Sequence, residues 1–531
     1  MTTALVMPVQ AESKWSPIEQ PTFVGKDILE LLSSSMYVDP MSLYREYIQN
    51  AADAVDQAKL AGSLETRGCV EIHIDSSARS VSVRDNGVGL GNAEFVHQLT
   101  ALGGSKKRGA GFRGFRGVGR LAGLAFCQEL VFRSRQAGET TVHELRWDSR
   151  EIRGLLRSDN TSHGLQEVVA AAVQKRELSA RNWPTRFFEV ELKGVIRYRD
   201  DRLLNEEAVS DYLMQVAPVA FHPQFEFGGQ IRSFLEEGGV QPGGIDVHLQ
   251  GRGQLFRPHK NAISMGKSGE TRFRELRTLV TPGRDGGSAA LTWFLDHDYR
   301  GALPPSSLVD GWRVRCGDIQ IGDNGLLQSL FPESRFNAWC VAETHVLDPR
   351  ILPNGRRDHF EQNAHYFDLI NHLAPQARDL AHRCRASSIA RNLLRSIDAR
   401  IAECAEHLRV LEKGAMPEKQ AAKFSKNLHN ALDQLQRLST RNTVPTERQR
   451  DYQTRITLLG GRLGRLATNC HRTNLLATFP PSHRPILSEV FATIYRGDKN
   501  LKQAQSLIET IVSHLRKTGR RPKSRKKVAA R

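Results

Sequence analysis

The chain has 531 residues, with 75 Lys and Arg against 58 Asp and Glu, which gives a formal net charge of +17. This length predicts about three or four domains, and a composition of 39% hydrophobic and 25% charged residues excludes wholesale disorder. Its seven cysteines stand far apart without a C-x-x-C pair, which argues against a disulfide scaffold or a zinc site and favours a cytoplasmic protein. No stretch approaches the roughly 18 apolar residues of a membrane helix.

The predicted elements begin with a helix between Asp39 and Ala61, followed by strands in which apolar and polar residues alternate. These strands are predicted at residues 70–74, 81–83, 130–133, 142–147 and 186–192. Because helices and strands alternate irregularly, the pattern favours an α+β fold over a regular βαβ repeat. The mixture continues to about residue 363.

After about residue 373 the pattern becomes helical. Apolar residues step by three or four from Leu393 to Leu411, from Leu428 to Leu438 and from Ile456 to Leu466. This spacing predicts an all-α bundle or coiled coil over residues 373–515. Its apolar stripe fits either internal packing or the docking of a partner or second copy.

A basic tail ends the chain. Residues 516–531 contain nine Lys and Arg and no acidic residue, a composition that predicts disorder. The tail either binds a polyanion such as nucleic acid or simply remains solvated.

The first helix carries a candidate site. Glu46, Asn50 and Asp53 share one stripe, and four apolar residues (Tyr44, Ile48, Ala51 and Val55) share the opposite side. A carboxylate can take a proton from an attacking water, and an amide oxygen one turn away can bind a hard metal ion. The alternative is an ordinary amphipathic helix with a solvated face.

Two further segments could complete that site. A predicted strand runs into Asp85, Gly87 and Gly89, where a carboxylate could read an exocyclic amine and glycines permit close approach of a planar ligand. Asn86-Gly87 is equally typical of a hairpin turn. Residues 103–119 are rich in glycine and in basic residues, which could surround phosphates. The alternative is a flexible surface loop. Residues 121–126 are predicted to form a helix whose N-terminus faces the same anion.

In this order the three segments resemble the GHKL ATPase superfamily, which includes the ninety-kilodalton heat-shock chaperones, type II topoisomerases, MutL and sensor histidine kinases. The resemblance implies a Bergerat-type α/β sandwich domain at residues 20–200. Glu46 would be the general base, Asn50 the Mg²⁺ ligand, Asp53 part of the same motif and Asp85 the residue that reads adenine. The other residues implied to surround ATP are Gly87, Gly89, Lys106, Lys107, Gly114, Gly117, Val118, Gly119 and Thr185. Pro184 stands where a glycine normally precedes that threonine.

Residues 201–372 are expected to form an α/β middle, or transducer, domain. Within it, residues 351–360 resemble the catalytic loop of the heat-shock chaperone branch. The resemblance implies that Arg356 or Arg357 reaches the γ-phosphate, and we favour Arg357 because an acidic residue follows it. The alternative is an exposed turn with two arginines.

The glycine-rich segment also satisfies a dinucleotide-binding pattern, but no strand directly precedes it. Residues 266–268 resemble the end of a P-loop, but the leading glycine of that motif is absent. A histidine kinase is disfavoured, because it would need a phosphoacceptor helix pair before the ATPase motifs. The expected function is therefore a Mg²⁺-dependent ATPase that acts as a homodimeric conformational clamp on a protein partner. A DNA-associated clamp that uses the basic tail is the alternative, and a nonhydrolysing nucleotide-binding scaffold is a third.

Overall fold

The computed structural model describes residues 39–64, 66–101, 119–157, 165–266, 269–414, 416, 418–468, 475–497 and 500–518. The chain divides into two compact units, and the division lies between Cys384 and Arg385. Throughout the described part, every helix is too short or too polar to cross a lipid bilayer.

The first unit opens with an eight-stranded sheet and its helices. The helices are α1 Ser42–Leu60, α2 Asn92–Thr100, α3 Ser149–Arg157, α4 Leu165–Ala172, α5 Glu206–Val216 and α6 Gly228–Glu237. The strands are β1 Cys69–Asp75, β2 Ser80–Asp85, β3 Glu129–Arg135, β4 Thr141–Asp148, β5 Val173–Ser179, β6 Phe187–Lys193, β7 Asp246–Leu249 and β8 Gly253–Leu255. Their order in the sheet is β5-β4-β3-β6-β2-β1-β7-β8.

Helix α1 lies in the core of this sheet layer. Tyr44, Ile48 and Val55 are fully buried, as are Val70 and Ile72 on β1. Burying a side chain of this size contributes about 1.5–3 kcal/mol. The apolar side of α1 therefore fixes the helix against the sheet, and the orientation of its polar residues follows from that packing.

The predicted strands are confirmed as β1, β2, β3, β4 and β6, and the predicted helix at 121–126 forms as a 3-10 helix, Gly119–Ala125. The hairpin alternative for Asn86-Gly87 is wrong, because β1 and β2 are joined before Ser80 and the chain passes from Asp85 towards α2. Strand β7 pairs in parallel with β1, so the sheet extends beyond the boundary predicted at residue 200.

A second sheet completes the first unit. A small two-stranded sheet is formed by β9 Ala262–Ser264 and β10 Glu270–Arg272. The second large sheet is formed by β11 Glu275–Pro282, β12 Ser288–Asp296, β13 Gly311–Cys316, β14 Ile319–Ile321 and β15 Val341–Val346. The five-stranded sheet has the order β11-β12-β15-β13-β14.

A buried cluster of charges lies on this second sheet. Arg257 forms ion pairs with Asp318 and with Glu343, and the three side chains are almost completely buried. Arg315 Nε also lies 3.0 Å from Glu343 Oε1. Charges removed from water are tolerated only when they are paired in this way, so the cluster fixes the segments that carry it.

The second unit is helical, as predicted. Helix α7, Ala364–Glu412, contains the division between the units, and it is followed by α8 Glu418–Ser439, α9 Thr446–Thr468, α10 Arg484–Gly497 and α11 Leu501–Thr518. The predicted apolar stripes form one buried cluster that includes Ile397, Leu408, Leu432 and Ile456. The chain therefore has an α+β fold with a C-terminal helical region.

Candidate functional site

The polar residues of α1 lie one turn apart on a helix that is buried over most of its length. Glu46 is 7% exposed and Asp53 is completely buried. Asn50, between them, is half-buried. The three residues that share a stripe in the sequence therefore also share a stripe in the structure.

Asp85 ends β2 beside the same helix. Its Oδ1 atom accepts a hydrogen bond of 2.8 Å from the backbone N–H of Gly87, and the N–H of Val88 donates to the carbonyl oxygen of Ala54 over 3.2 Å. A Cβ atom on Gly87 would lie 2.6 Å from the backbone carbon of Ala54. The loop after β2 thus rests directly on α1, and residue 87 has no room for a side chain.

A side chain is excluded at Gly89 for a different reason. Its φ angle is +67°, a left-handed conformation that glycine adopts without strain. A Cβ atom there would also lie 2.2 Å from the carbonyl oxygen of Arg135 on β3. The two predicted glycines therefore hold the loop after Asp85 against both α1 and the sheet.

Glu46 is covered by the end of the glycine-rich segment. A Cβ atom on Gly119 would lie 2.2 Å from the Oε2 atom of Glu46, and the N–H of Gly123 donates to the hydroxyl of Tyr47 over 2.9 Å. The remaining predicted lid residues, Lys106, Lys107, Gly114, Gly117 and Val118, lie outside the described residues.

Arg357 reaches Glu46 from the loop that follows β15. Its Nε atom lies 3.3 Å from the Oε1 atom of Glu46, and both side chains are 9% exposed. Arg356, by contrast, is exposed. Arg357, one of the two predicted arginines, therefore reaches the carboxylate on α1.

The loop that carries Arg357 is tightly built. Pro353 and Phe360 form an antiparallel bridge, and the N–H of Asn354 donates to the carbonyl oxygen of His359 over 2.8 Å. The carbonyl oxygen of Arg357 accepts 2.9 Å from the N–H of Gly322, directly after β14. The position of the guanidinium is therefore tied to the five-stranded sheet.

Arg45 is a residue that the sequence did not single out. Its Nη2 atom donates to the carbonyl oxygen of Arg356 over 2.8 Å, and its Nη1 atom donates to the carbonyl oxygen of Arg357 over 3.2 Å. It is 6% exposed. An arginine on an amphipathic helix normally points into water, so only its position directly before Glu46 could have drawn attention to it.

Thr185 lies at the surface, two residues before β6. The register pairs Asp85 with Phe188, and Arg186 Nη2 donates to the carbonyl oxygen of Asn86 over 3.1 Å. Thr185 therefore sits at the same end of the sheet as Asp85.

The residues of the site offer Mg²⁺ a single amide ligand, Asn50, on α1. Among the described residues, no group of three or more His, Cys, Asp or Glu side chains is arranged to hold a metal ion. Mg²⁺ that accompanies a nucleotide takes most of its ligands from phosphate and water. A single amide oxygen such as that of Asn50 fits this kind of metal, and a dedicated all-protein metal cage does not.

Comparison with known proteins agrees with this arrangement. Residues 42–171 match the family described as histidine kinase-, DNA gyrase B- and HSP90-like ATPases. The chain is 30% identical over 147 residues to the chaperone protein HtpG of Nitrosomonas eutropha, covering 24% of this chain and 22% of that protein. For HtpG of Bordetella pertussis the identity is 31% over 146 residues, covering 23% and 22%.

A longer alignment reaches HtpG of Chromobacterium violaceum, with 26% identity over 198 residues, 34% of this chain and 30% of that protein. The matches thus span less than a third of these relatives. Together with the eight-stranded sheet, they identify residues 42–171 as a GHKL-type ATPase domain.

Proposed function

We propose that this chain, which carries a GHKL-type ATPase domain, hydrolyses ATP and uses the reaction to change its conformation on a protein partner. The observation that carries the proposal is the contact between Glu46 on α1 and Arg357 in the loop after β15. A carboxylate able to accept a proton and a guanidinium able to bind phosphate thus share one site.

In the proposed reaction, Glu46 takes the proton from the water that attacks the γ-phosphate, and Asp85 accepts a hydrogen bond from the amino group of adenine. Asn50 would hold Mg²⁺, and the ion would supply positive charge that offsets the negative charge of the phosphate oxygens. Arg357 stabilises the charge that spreads over the transferred phosphoryl group.

The same contact suggests how ATP binding is sensed. The guanidinium of Arg357 is engaged by Glu46, and a triphosphate offers it more negative charge than one carboxylate does. Transfer of Arg357 to the phosphate would free Glu46 to act as a base. Because the N–H of Gly322, directly after β14, donates to the carbonyl oxygen of Arg357, the exchange would pass a shift of the loop to the five-stranded sheet, which is the proposed link to conformation.

The protein partner and the homodimer rest on likeness alone. The relatives are named chaperones, a class of protein that acts on other proteins, and we extend that class of partner to this chain. The cytoplasmic location expected from its cysteines stays a prediction.

The test is ATP turnover and ATP binding of the purified full chain, with and without duplex DNA. Glu46→Ala should lower turnover by about 100-fold or more while ATP binding is retained, and Glu71→Ala, at an exposed position on β1, should change neither. Normal turnover of Glu46→Ala would refute the base. ATP binding without turnover in the unaltered chain would instead identify a nonhydrolysing scaffold.

A further inference from the structure

The excess of positive over negative charge in this protein is confined to residues 385–531, the helical unit and the tail. Residues 385–531 contain 30 of the 75 Lys and Arg but only 11 of the 58 Asp and Glu, a net charge of +19, whereas residues 1–384 carry a net charge of −2. The tail from residue 516 supplies only nine of these charges. More than half of the excess therefore lies before the tail, in residues 385–515.

Three carboxylates of this unit form ion pairs that join one helix to another segment of the unit. Arg455 Nη1 lies 2.9 Å from Asp398 Oδ1, and Arg462 Nη2 lies 2.7 Å from Glu412 Oε2. Lys413 pairs with Glu509. These pairs neutralise cations at helix contacts and leave the outward faces with the surplus of positive charge.

One of those faces is the outer row of α8. Its exposed basic residues are Lys419, Lys423, Lys426 and Arg437. The first three are spaced by four and three residues, and Asn430 and Asp433 continue the row to Arg437. Asp433 is the one carboxylate in the row, 3.9 Å from His429. From Lys419 to Arg437 the row is about 27 Å long.

Further basic residues follow in the chain. Between residues 434 and 450 there are four basic residues and a single acidic one, Glu447. Those beyond α8 are Arg441 in the turn and Arg448 and Arg450 on α9, all exposed. We call the four α8 residues Lys419, Lys423, Lys426 and Arg437 the basic row. Like charges one turn apart destabilise a helix, so folding alone does not account for it.

The chemistry of the basic row fits a chain of phosphates better than a membrane or a protein. The apolar face of α8 is used internally, since Leu428, Leu432 and Leu435 are at most 5% exposed, and a membrane-surface helix needs such a face free for lipid. A protein hot spot combines aromatic side chains with arginine, and the basic row contains no aromatic residue. A nucleic-acid strand presents one phosphate about every 3.4 Å of helix axis, so a row of this length could meet several of them.

We propose that the helical unit binds the sugar-phosphate backbone of nucleic acid along the basic row, without reading base sequence. This proposal is independent of ATP hydrolysis, and the tail is at most an addition to it. Counterion release would supply the affinity, which must therefore fall steeply as salt rises.

The experiment is fluorescence anisotropy of the full chain with labelled duplex DNA, single-stranded DNA and RNA at a series of salt concentrations. The test variant is Lys419→Gln/Lys423→Gln/Lys426→Gln/Arg437→Gln, and the matched control is Lys175→Gln/Arg232→Gln/Lys260→Gln/Arg284→Gln, which removes the same charge from exposed positions of the first unit. A third variant ends at residue 518. Circular dichroism checks that each variant remains helical.

The test variant should bind at least about tenfold more weakly at low salt, and its salt slope should fall by about 0.9 for each phosphate that it no longer neutralises. The control should bind as the unaltered chain does. Equal weakening in the control, weakening only on removal of the tail, or binding without salt dependence would overturn the proposal. So would preferential binding of anionic phosphatidylserine vesicles. ATP turnover of the same variants is read in parallel, so failure of this proposal is distinguishable from failure of the ATPase.

Discussion

The Nε atom of Arg357 lies 3.3 Å from the Oε1 atom of Glu46, although one residue belongs to a loop of the second sheet and the other to the eight-stranded sheet layer. The residue before Glu46, Arg45, donates to two carbonyl oxygens of that loop. Two adjacent residues of α1 thus hold the loop: Glu46 contacts a side chain of the loop, and Arg45 contacts the backbone of the loop. The backbone contact can persist while the guanidinium changes its partner.

The first prediction concerns the two arginines. Arg357→Ala should lower ATP turnover by about 100-fold or more, because an arginine that stabilises the transferred phosphoryl group is typically worth at least that much. ATP affinity should change far less. The exposed neighbour provides the control, and Arg356→Ala should leave steady-state turnover close to normal. Equal losses in the two variants would show that the loop matters but that Arg357 has no special part.

Arg45 is predicted to be a positioning residue for that loop. Arg45→Met removes two hydrogen bonds worth about 1 kcal/mol each, so it should lower turnover by about tenfold or more and lower the thermal midpoint by a few degrees, while ATP binding stays nearly unchanged. Arg181→Met, at an exposed position, is the matched control. In the double variant with Arg357→Ala the loss should not grow further. Additive losses would mean that Arg45 acts independently of Arg357.

Asp85 is predicted to determine ATP affinity. Asp85→Asn should weaken ATP binding by about 10- to 100-fold, as expected when a charged hydrogen-bond acceptor is removed from a buried site. Asp75→Asn, on the exposed end of β1, should bind ATP normally. Isothermal titration calorimetry measures both, and normal affinity of Asp85→Asn would refute the adenine contact.

The buried charges on the second sheet predict a large effect on stability. Arg257→Met should cost about 3–5 kcal/mol in the free energy of unfolding of the first unit, because Glu343 and Asp318 would lose a buried partner. Arg252→Met, at an exposed position, should cost little. Urea unfolding followed by circular dichroism compares the two, and a similar small cost for both would show that the cluster is not needed for stability.

The same cluster predicts a dependence on pH. Burial by itself raises the pKa of Glu343, but Arg315 and Arg257 outweigh that effect and hold the pKa well below its ordinary value. The ionised Glu343 carboxylate should therefore stabilise the folded first unit fully above the ordinary glutamate pKa, near 4.3. This stabilisation should be lost as the pH falls from that value towards the lowered pKa of Glu343. Thermal midpoints measured between about pH 7 and pH 3 should fall less in Glu343→Gln than in the unaltered chain.

Much of the site could be predicted because its signals are local. The spacing of Glu46, Asn50 and Asp53 is a helical one, and Asp85 with Gly87 follows an alternating strand. The contact of Arg45 with a distant backbone could not be predicted, because every residue has a carbonyl oxygen and the sequence does not show which one accepts the hydrogen bond. The parallel pairing of β7 with β1 was missed for a related reason, since its partners are far apart in the chain.

The domain division was also beyond the sequence pattern. It falls inside α7, a continuous helix, about ten residues beyond Pro375 and the change of pattern near residue 373. The predicted helical region begins close by, at residue 373. The net charge of +19 lies beyond residue 384, with +10 in residues 385–515 and +9 in the tail.

Arg357 adopts a φ angle of +56°, a left-handed conformation that costs a residue with a Cβ atom about 1 kcal/mol. Glycine would fit that backbone better and would lose the guanidinium. The residue best for folding and the residue best for chemistry therefore differ at this one position. Selection for thermal stability alone would favour glycine here, so the proposed role of Arg357 carries a cost in stability.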